Sequence, residues 1–107
     1  MKLRKHSDLV AAVILFIKYK GSTAWEEKVG EFKIGNRYVR CGFPGSSDVH
    51  GIGPEGRALF IECKVAPAKL NANQQAFLAD AVARGAFAVC VYSVDQLEKH
   101  WQVEFGA

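Results

Sequence analysis

The stretch that decides the fold is Ala58-Leu59-Phe60-Ile61-Glu62-Cys63-Lys64-Val65, an apolar run that carries two charges near its end. Apolar and β-branched residues over this length predict a strand. Because strand side chains alternate between faces, Glu62 and Lys64 share one face and their apolar neighbours share the other. Since burying a charge costs on the order of several kcal/mol, the pair indicates either a site that uses the charges or an exposed strand face with an ordinary ion pair.

The segments before this strand predict one helix and three further strands. Residues 7–20 are predicted to form a helix that Ser7 caps. The apolar residues of this helix occupy more than one stripe, so it should pack against neighbours on two sides. Strands are expected at residues 25–34, 37–41 and 48–52, with Gly35-Asn36 as a hairpin turn. Together with the strand at residues 57–65, they predict a compact antiparallel meander.

The segments after it predict a helix, a strand and a second helix. A helix is expected at residues 71–84, followed by a nearly continuous apolar strand at residues 86–92, which is typical of a strand covered on both faces. Ser93 or Asp95 can cap a short terminal helix through Trp101. This order of elements predicts an α/β fold in a single domain over residues 1–107.

The composition is that of a globular protein with a mild positive charge. Half of the 107 residues are hydrophobic, and 14 basic against 11 acidic residues give a net charge of +3, which is compatible with a polyanionic partner. The three cysteines have no metal-ligand spacing and predict reduced, buried thiols and a cytoplasmic location. No run is long and apolar enough for a membrane span, and the apolar run at residues 9–17 lacks a signal-peptide cleavage site.

Four blocks of the chain resemble the signature of VRR-NUC domains, which belong to the PD-(D/E)xK nuclease superfamily. In order they are Gly-Phe-Pro-Gly-Ser-Ser-Asp at residues 42–48, Phe-Ile-Glu-Cys-Lys at 60–64, Gln-Gln-Ala-Phe-Leu at 74–78 and Arg-Gly-Ala at 84–86. The resemblance extends over about residues 38–95. It implies a restriction-endonuclease-like core, with a mixed central sheet of about five strands flanked by helices.

The resemblance also implies a catalytic centre of Asp48, Glu62 and Lys64, with Gln74 nearby. Asp48, Glu62 and the backbone carbonyl of Cys63 would bind Mg²⁺ or Mn²⁺, since hard divalent cations prefer oxygen ligands. Lys64 would orient or help deprotonate the attacking water, or neutralise charge that develops on the phosphate, and the sequence leaves these roles open.

Gln74 has two interpretations. Asn71-Ala72-Asn73-Gln74 fits a capping box, in which Asn71 caps the helix and Gln74 reaches back. Gln74 also shares a helical face with Phe77 and Leu78, which should meet the sheet and project the amide toward the active-site strands. We favour a role in the site, because the family carries a glutamine at this point of its motif.

Five residues near the motifs are candidates for DNA contacts. Arg37, Arg40 and Lys69 would bind phosphates without reading sequence. Ser46 and Ser47, in the turn at Gly45, would meet a phosphate through hydroxyl and amide groups. For any single residue, an ordinary solvated surface is the alternative.

For four further residues, the sequence does not decide whether they belong to the site. Relatives often carry a glutamate on the first helix, where this chain offers His6 and Asp8 instead. Glu26 lies in an acidic stretch where relatives tend to be rich in Arg and Asn. His50 shares a strand face with Asp48, although a satisfied buried histidine is the simpler interpretation.

The resemblance and the residues that carry it imply a metal-dependent DNA endonuclease, and the resemblance implies a bacterial or phage-infected cell. The resemblance favours branched DNA such as a Holliday junction, and the small size and apolar first helix favour a homodimer with two symmetric sites. The alternatives are a restriction-type nuclease that reads a short duplex sequence, for which no base-reading insertion is evident, and a non-catalytic DNA-binding module.

Overall fold

The computed structural model describes residues 5–28, 30–41 and 43–106, and it leaves the side chains of residues 30–32 and 39–41 outside this description. The elements confirm an α/β fold. They are α1 (His6–Tyr19), β1 (Thr23–Glu26), β2 (Gly30–Ile34), β3 (Arg37–Cys41), β4 (Val49–Ile52), β5 (Ala58–Cys63), α2 (Ala72–Ala83), β6 (Phe87–Val91) and α3 (Val94–Phe105). None of the helices in the described ranges is both long and apolar enough to cross a membrane.

The central sheet is mixed, as predicted, but has four strands rather than about five. Its order is β1-β4-β5-β6, with antiparallel neighbours except for the parallel pair β5 and β6. The hairpin of β2 and β3 turns at Gly35-Asn36, as predicted, and forms a separate two-stranded sheet.

The predicted single strand at residues 25–34 is wrong, and so is the meander. The chain leaves the central sheet after β1, where the Glu27 N–H donates to the Asp48 carbonyl over 2.7 Å. The following strand, β2, pairs with β3 instead, and it is β1 that lies beside β4, with Trp25 opposite His50. The charged sequence Glu26-Glu27-Lys28 interrupts the apolar pattern at this break.

Alternation along β4 and β5 gives the sheet two different faces. The face toward α1 and α3 holds the hydrophobic core, which includes Val49, Ile61 and Cys63 from these strands and Trp101 from α3. The other face, toward α2, carries His50, Phe60 and Glu62, since Phe60 and His50 both contact Phe77 of α2. The polar site therefore lies on the α2 side of the sheet.

Two of the three predicted N-terminal helix caps are present in the structure. Asn71 and Gln74 form the complete capping box at the start of α2, and the Ser93 hydroxyl accepts a hydrogen bond from the Gln96 N–H at the start of α3. The predicted Ser7 cap is wrong. Helix α1 begins one residue earlier, at His6, and its capping residue Lys5 makes no side-chain cap.

The turn before Asp48 is held against the start of α2. Gly45 has a φ of +80°, and a Cβ at this position would overlap the backbone carbonyl of Asn73. Only glycine fits both the left-handed conformation and the close approach. The turn and the helix are thereby brought together beside the strand that follows.

Candidate active site

The centre of the site is a pair of carboxyl groups on neighbouring strands. Val49 of β4 lies opposite Ile61 of β5 in the antiparallel register, so Asp48 and Glu62 follow at the same end of the pair. Their side chains are hydrogen-bonded to each other. Glu62 is only 3% exposed, and Asp48 is half-buried.

This contact shifts the pKa values of the two carboxyl groups in opposite directions. Burial, the hydrogen bond that protonated Glu62 donates to Asp48 and the charge of Asp48 raise the pKa of Glu62 to about 9, whereas Lys64 opposes the shift. Burial also acts to raise the pKa of Asp48, but hydrogen bonds from Glu62, the Cys63 N–H and His6 outweigh it and lower that pKa below its ordinary value. Without a cation, the pair therefore holds one negative charge and one proton near neutral pH.

The backbone of β5 fixes the position of Asp48. The Cys63 N–H donates to Asp48 Oδ2 over 2.9 Å. Since the N–H and C=O of one strand residue point to the same side, the Cys63 carbonyl also faces the Asp48 side of β5. The Cys63 thiol lies in the core, where burial and the charge of Asp48 raise its pKa and thereby disfavour the thiolate.

Lys64 follows directly after β5 and is half-buried. Its N–H donates to the Val91 carbonyl over 3.0 Å, which holds the chain beside β6. Its charge acts on Glu62, where it favours the ionised carboxylate. The structure therefore brings Asp48, Glu62 and Lys64 together at one end of the sheet.

His6 of α1 also reaches the site. Its Nε2 lies 3.2 Å from Asp48 Oδ2, the same oxygen that accepts from the Cys63 N–H. The sequence did not decide between His6 and Asp8 as the residue of the first helix that joins the site. The signal for His6 was its position at the start of that helix. Asp8 is exposed in the first turn of α1, and Glu26 is exposed at the end of β1, opposite Val49.

His50 is held by a network that runs beside the carboxyl pair. Its Nε2 lies 2.8 Å from Ser46 Oγ, and its Nδ1 lies 3.7 Å from Glu27 Oε2, which also accepts a hydrogen bond from the Trp25 indole over 3.0 Å. Burial lowers the pKa of His50, although Glu27 acts against it. These contacts confirm a satisfied, partly buried histidine, and they give Ser46 and Glu27 a structural role that the sequence did not indicate.

The remaining predicted site residues are Gln74, Ser47, Arg37, Arg40 and Lys69. Gln74 Oε1 accepts from the Asn71 N–H over 3.0 Å, so its carbonyl end serves the capping box, and its role in the site stays a prediction. The Ser47 hydroxyl is buried and donates to the Val49 carbonyl, so a phosphate contact by it would require the turn to open. Arg37 and Lys69 are exposed, whereas the side chain of Arg40 is outside the described residues.

The donors fit a hard divalent cation, although they do not form a complete set of side-chain ligands. Within residues 5–28, 30–41 and 43–106, no three His, Cys, Asp or Glu side chains form a group suited to a metal ion. Two facing carboxyl groups share a proton because two carboxylates at this distance would repel each other. A cation that replaces the proton would remove this repulsion. Mg²⁺ and Mn²⁺ commonly use one or two carboxylates and complete their shells with water and substrate oxygens.

Comparison with known proteins identifies the fold. No protein-family model matches the chain, and no curated protein matches it either. A solved structure described as a VRR_NUC domain superimposes with a TM-score of 0.66 at 20% sequence identity, covering 98% of this chain and 100% of that one. The fold of this chain is therefore that of a VRR_NUC domain, as its motifs predicted.

Proposed function

We propose that this protein is a metal-dependent DNA endonuclease of the PD-(D/E)xK type. The observation that carries the proposal is the buried Glu62 facing Asp48 at the end of two paired strands, with Lys64 directly after it. Such a pair destabilises the fold unless a ligand uses it, and perturbed acidities of this kind cluster at functional sites. The VRR_NUC fold agrees with this chemistry.

In the proposed site, Asp48, Glu62 and the Cys63 carbonyl hold Mg²⁺ or Mn²⁺. A bound ion of this kind stabilises charge on a phosphoryl oxygen and lowers the pKa of bound water. The chain contributes a fixed Asp48, held by the Cys63 N–H and by His6. It also contributes the Lys64 ammonium, which can neutralise charge developing on the phosphate.

We further propose that the substrate is branched DNA and that the active form is a homodimer. The exposed Arg37 and Lys69 would add phosphate contacts, together with Arg40 and the turn at Ser46 and Ser47. Support for the dimer comes from α1, which buries four apolar residues and yet leaves Leu15 and Tyr19 exposed. A cytoplasmic location is consistent with the free thiols of Cys63 and Cys90.

Cleavage of a panel of labelled DNAs tests the proposal. The panel contains single-stranded DNA, duplex, flap and four-way junction, each with Mg²⁺, Mn²⁺ or chelator, and light scattering on the same preparation measures the oligomeric state. We expect cutting of a branched substrate that stops with chelator. Binding without cutting would instead favour a non-catalytic DNA-binding module.

Replacing the lysine assigns the activity to this site. We expect Lys64→Met to reduce cleavage by a factor of about 10³, the cost typical of removing one preorganised charge partner, while the protein still folds and binds DNA. Lys99→Met, at an exposed position of α3, is the matched control and should cut like wild type. Undiminished cutting by Lys64→Met would remove Lys64 from the mechanism.

A further inference from the structure

An open groove of about 560 Å³ lies between the turn before Asp48 and helix α2. Its walls are formed by Phe43, Pro44, Asn73, Ala76, Phe77 and Asp80. A second groove, of about 340 Å³, shares Phe77 and Asp80 with the first and continues past Arg84 to Arg57. Together they follow one side of α2, and we refer to them as the α2 groove.

The α2 groove is aligned with the helix. Asn73, Phe77, Asp80 and Arg84 recur at spacings of three and four, so they form one stripe along α2. The 12 residues of this helix correspond to a length of about 18 Å. This is the length of about five nucleotides at the 3.4 Å spacing of a stacked strand, and of fewer in an extended single strand.

Aromatic rings connect the groove with the carboxyl pair. The ring centroids of Phe43 and Phe77 are 6.0 Å apart, those of Phe77 and Phe60 are 5.3 Å apart, and those of Phe60 and His50 are 4.9 Å apart. His50 and Phe60 each stand two residues from a carboxylate of the site, on the same face. Phe43 ends this series and is 67% exposed, which gives it a free aromatic surface.

Polar groups along the groove suit the edges and phosphates of nucleotides. Arg84 Nε donates to both carboxylate oxygens of Asp80, over 3.1 and 3.2 Å, and a guanidinium group carries four further N–H donors on its terminal amino groups. A guanidinium group binds phosphate through such donors. The Asp80 carboxylate and the Asn73 amide add an acceptor and a mixed donor and acceptor for base edges.

We propose that the α2 groove binds a single-stranded segment of the DNA substrate, with one unpaired base stacked on Phe43. Proteins that bind single strands combine exposed aromatic rings with positive groups along a track, because every base offers a flat face. A duplex keeps its bases stacked inside and cannot present one to Phe43. This inference rests on the proposed function and specifies the part of the substrate next to the cleaved bond.

Fluorescence anisotropy in the presence of chelator, which prevents cutting, measures the proposed contact. The probes are a blunt duplex and the same duplex with a five-nucleotide single-stranded overhang. We expect wild type to bind the overhang about 10-fold tighter than the blunt end, and Phe43→Ala to lose most of that preference. Phe43→Tyr should restore it, and Val103→Ala, which truncates an exposed apolar residue of α3, should leave it unchanged.

An abasic overhang separates stacking from a general loss of affinity. Removing the bases should weaken binding by wild type and leave Phe43→Ala unaffected. Equal binding of both probes by wild type, or equal weakening of both probes in Phe43→Ala, would overturn the inference even if the protein cleaves DNA. A Phe43-dependent preference without cleavage in Mg²⁺ or Mn²⁺ would support the inference and contradict the nuclease. Absence of binding to either probe would overturn the inference, and if cleavage with metal were also absent, both proposals would be overturned.

Discussion

The two faces of strands β4 and β5 differ sharply in the residues that they carry. Toward α1 and α3, Val49, Ile61 and Cys63 are buried among apolar side chains. Toward α2, the intervening positions hold His50, Phe60 and Glu62. The same strands thus serve two purposes, because alternation lets adjacent residues experience different surroundings.

The helices that cover the two faces show the same division. Helix α1 buries Leu9, Val10, Val13 and Ile17, whereas α2 buries only Leu78 and Ala81. The α1 side therefore contributes most of the apolar burial, and the α2 side leaves room for charges and for a groove. We conclude that the core face stabilises the fold and thereby offsets the cost of the carboxyl pair on the other face.

The largest expected effect on stability lies on the core face. Ile61→Ala should reduce the free energy of unfolding by about 2 to 5 kcal/mol, because it leaves a cavity among fully buried neighbours. The matched control is Ile52→Ala in β4, where the isoleucine is 50% exposed and the expected loss is below about 1 kcal/mol. Urea denaturation measures both, and similar losses would contradict the assignment of the core to this face.

The second effect is the pH dependence that the carboxyl pair imposes on the metal-free protein. Because the pKa of Glu62 is raised to about 9 in the folded state, the fold favours its protonated form. That stabilisation is complete below the ordinary pKa of about 4.5 and is lost as the pH rises toward 9. The lowered pKa of Asp48 has the opposite sign, and its contribution is lost in acid, outside this range.

Glu62→Gln should remove this dependence, since a neutral amide does not titrate. Thermal denaturation at pH 5 to 9, with chelator present, should show a flatter profile for the variant and a higher melting temperature than wild type at pH 8. Glu55→Gln, in an exposed turn, should keep the slope of the wild-type profile. A wild-type profile without a fall above pH 5 would show that Glu62 ionises freely.

The sequence predicted those parts of the structure that depend on local pattern. Alternation placed Glu62 on the face of β5 opposite Ile61 and Cys63, and the capping box at Asn71 followed from residue spacing. The break after β1 was not predictable, since it depends on the Glu27 N–H meeting the Asp48 carbonyl, a contact between distant residues. The contact of His6 with Asp48 joins residues 42 positions apart, and only the packing of α1 against the sheet creates it.

The smallest expected effect concerns Gln74, which stands between the two interpretations of its sequence. Asn71→Ala and Gln74→Ala each break one half of the capping box, so each should cost about 1 kcal/mol of stability. If Gln74 also serves the site, Gln74→Ala should reduce cleavage by a factor of about 10, because a positioning contact is lost, whereas Asn71→Ala should cut like wild type. Cleavage rates are measured well below the melting temperatures of the two variants. Equal rates would mean that Gln74 serves only to cap the helix. The comparison therefore distinguishes a site that uses a side chain of helix α2 from one that uses only residues of the strands and the segments next to them.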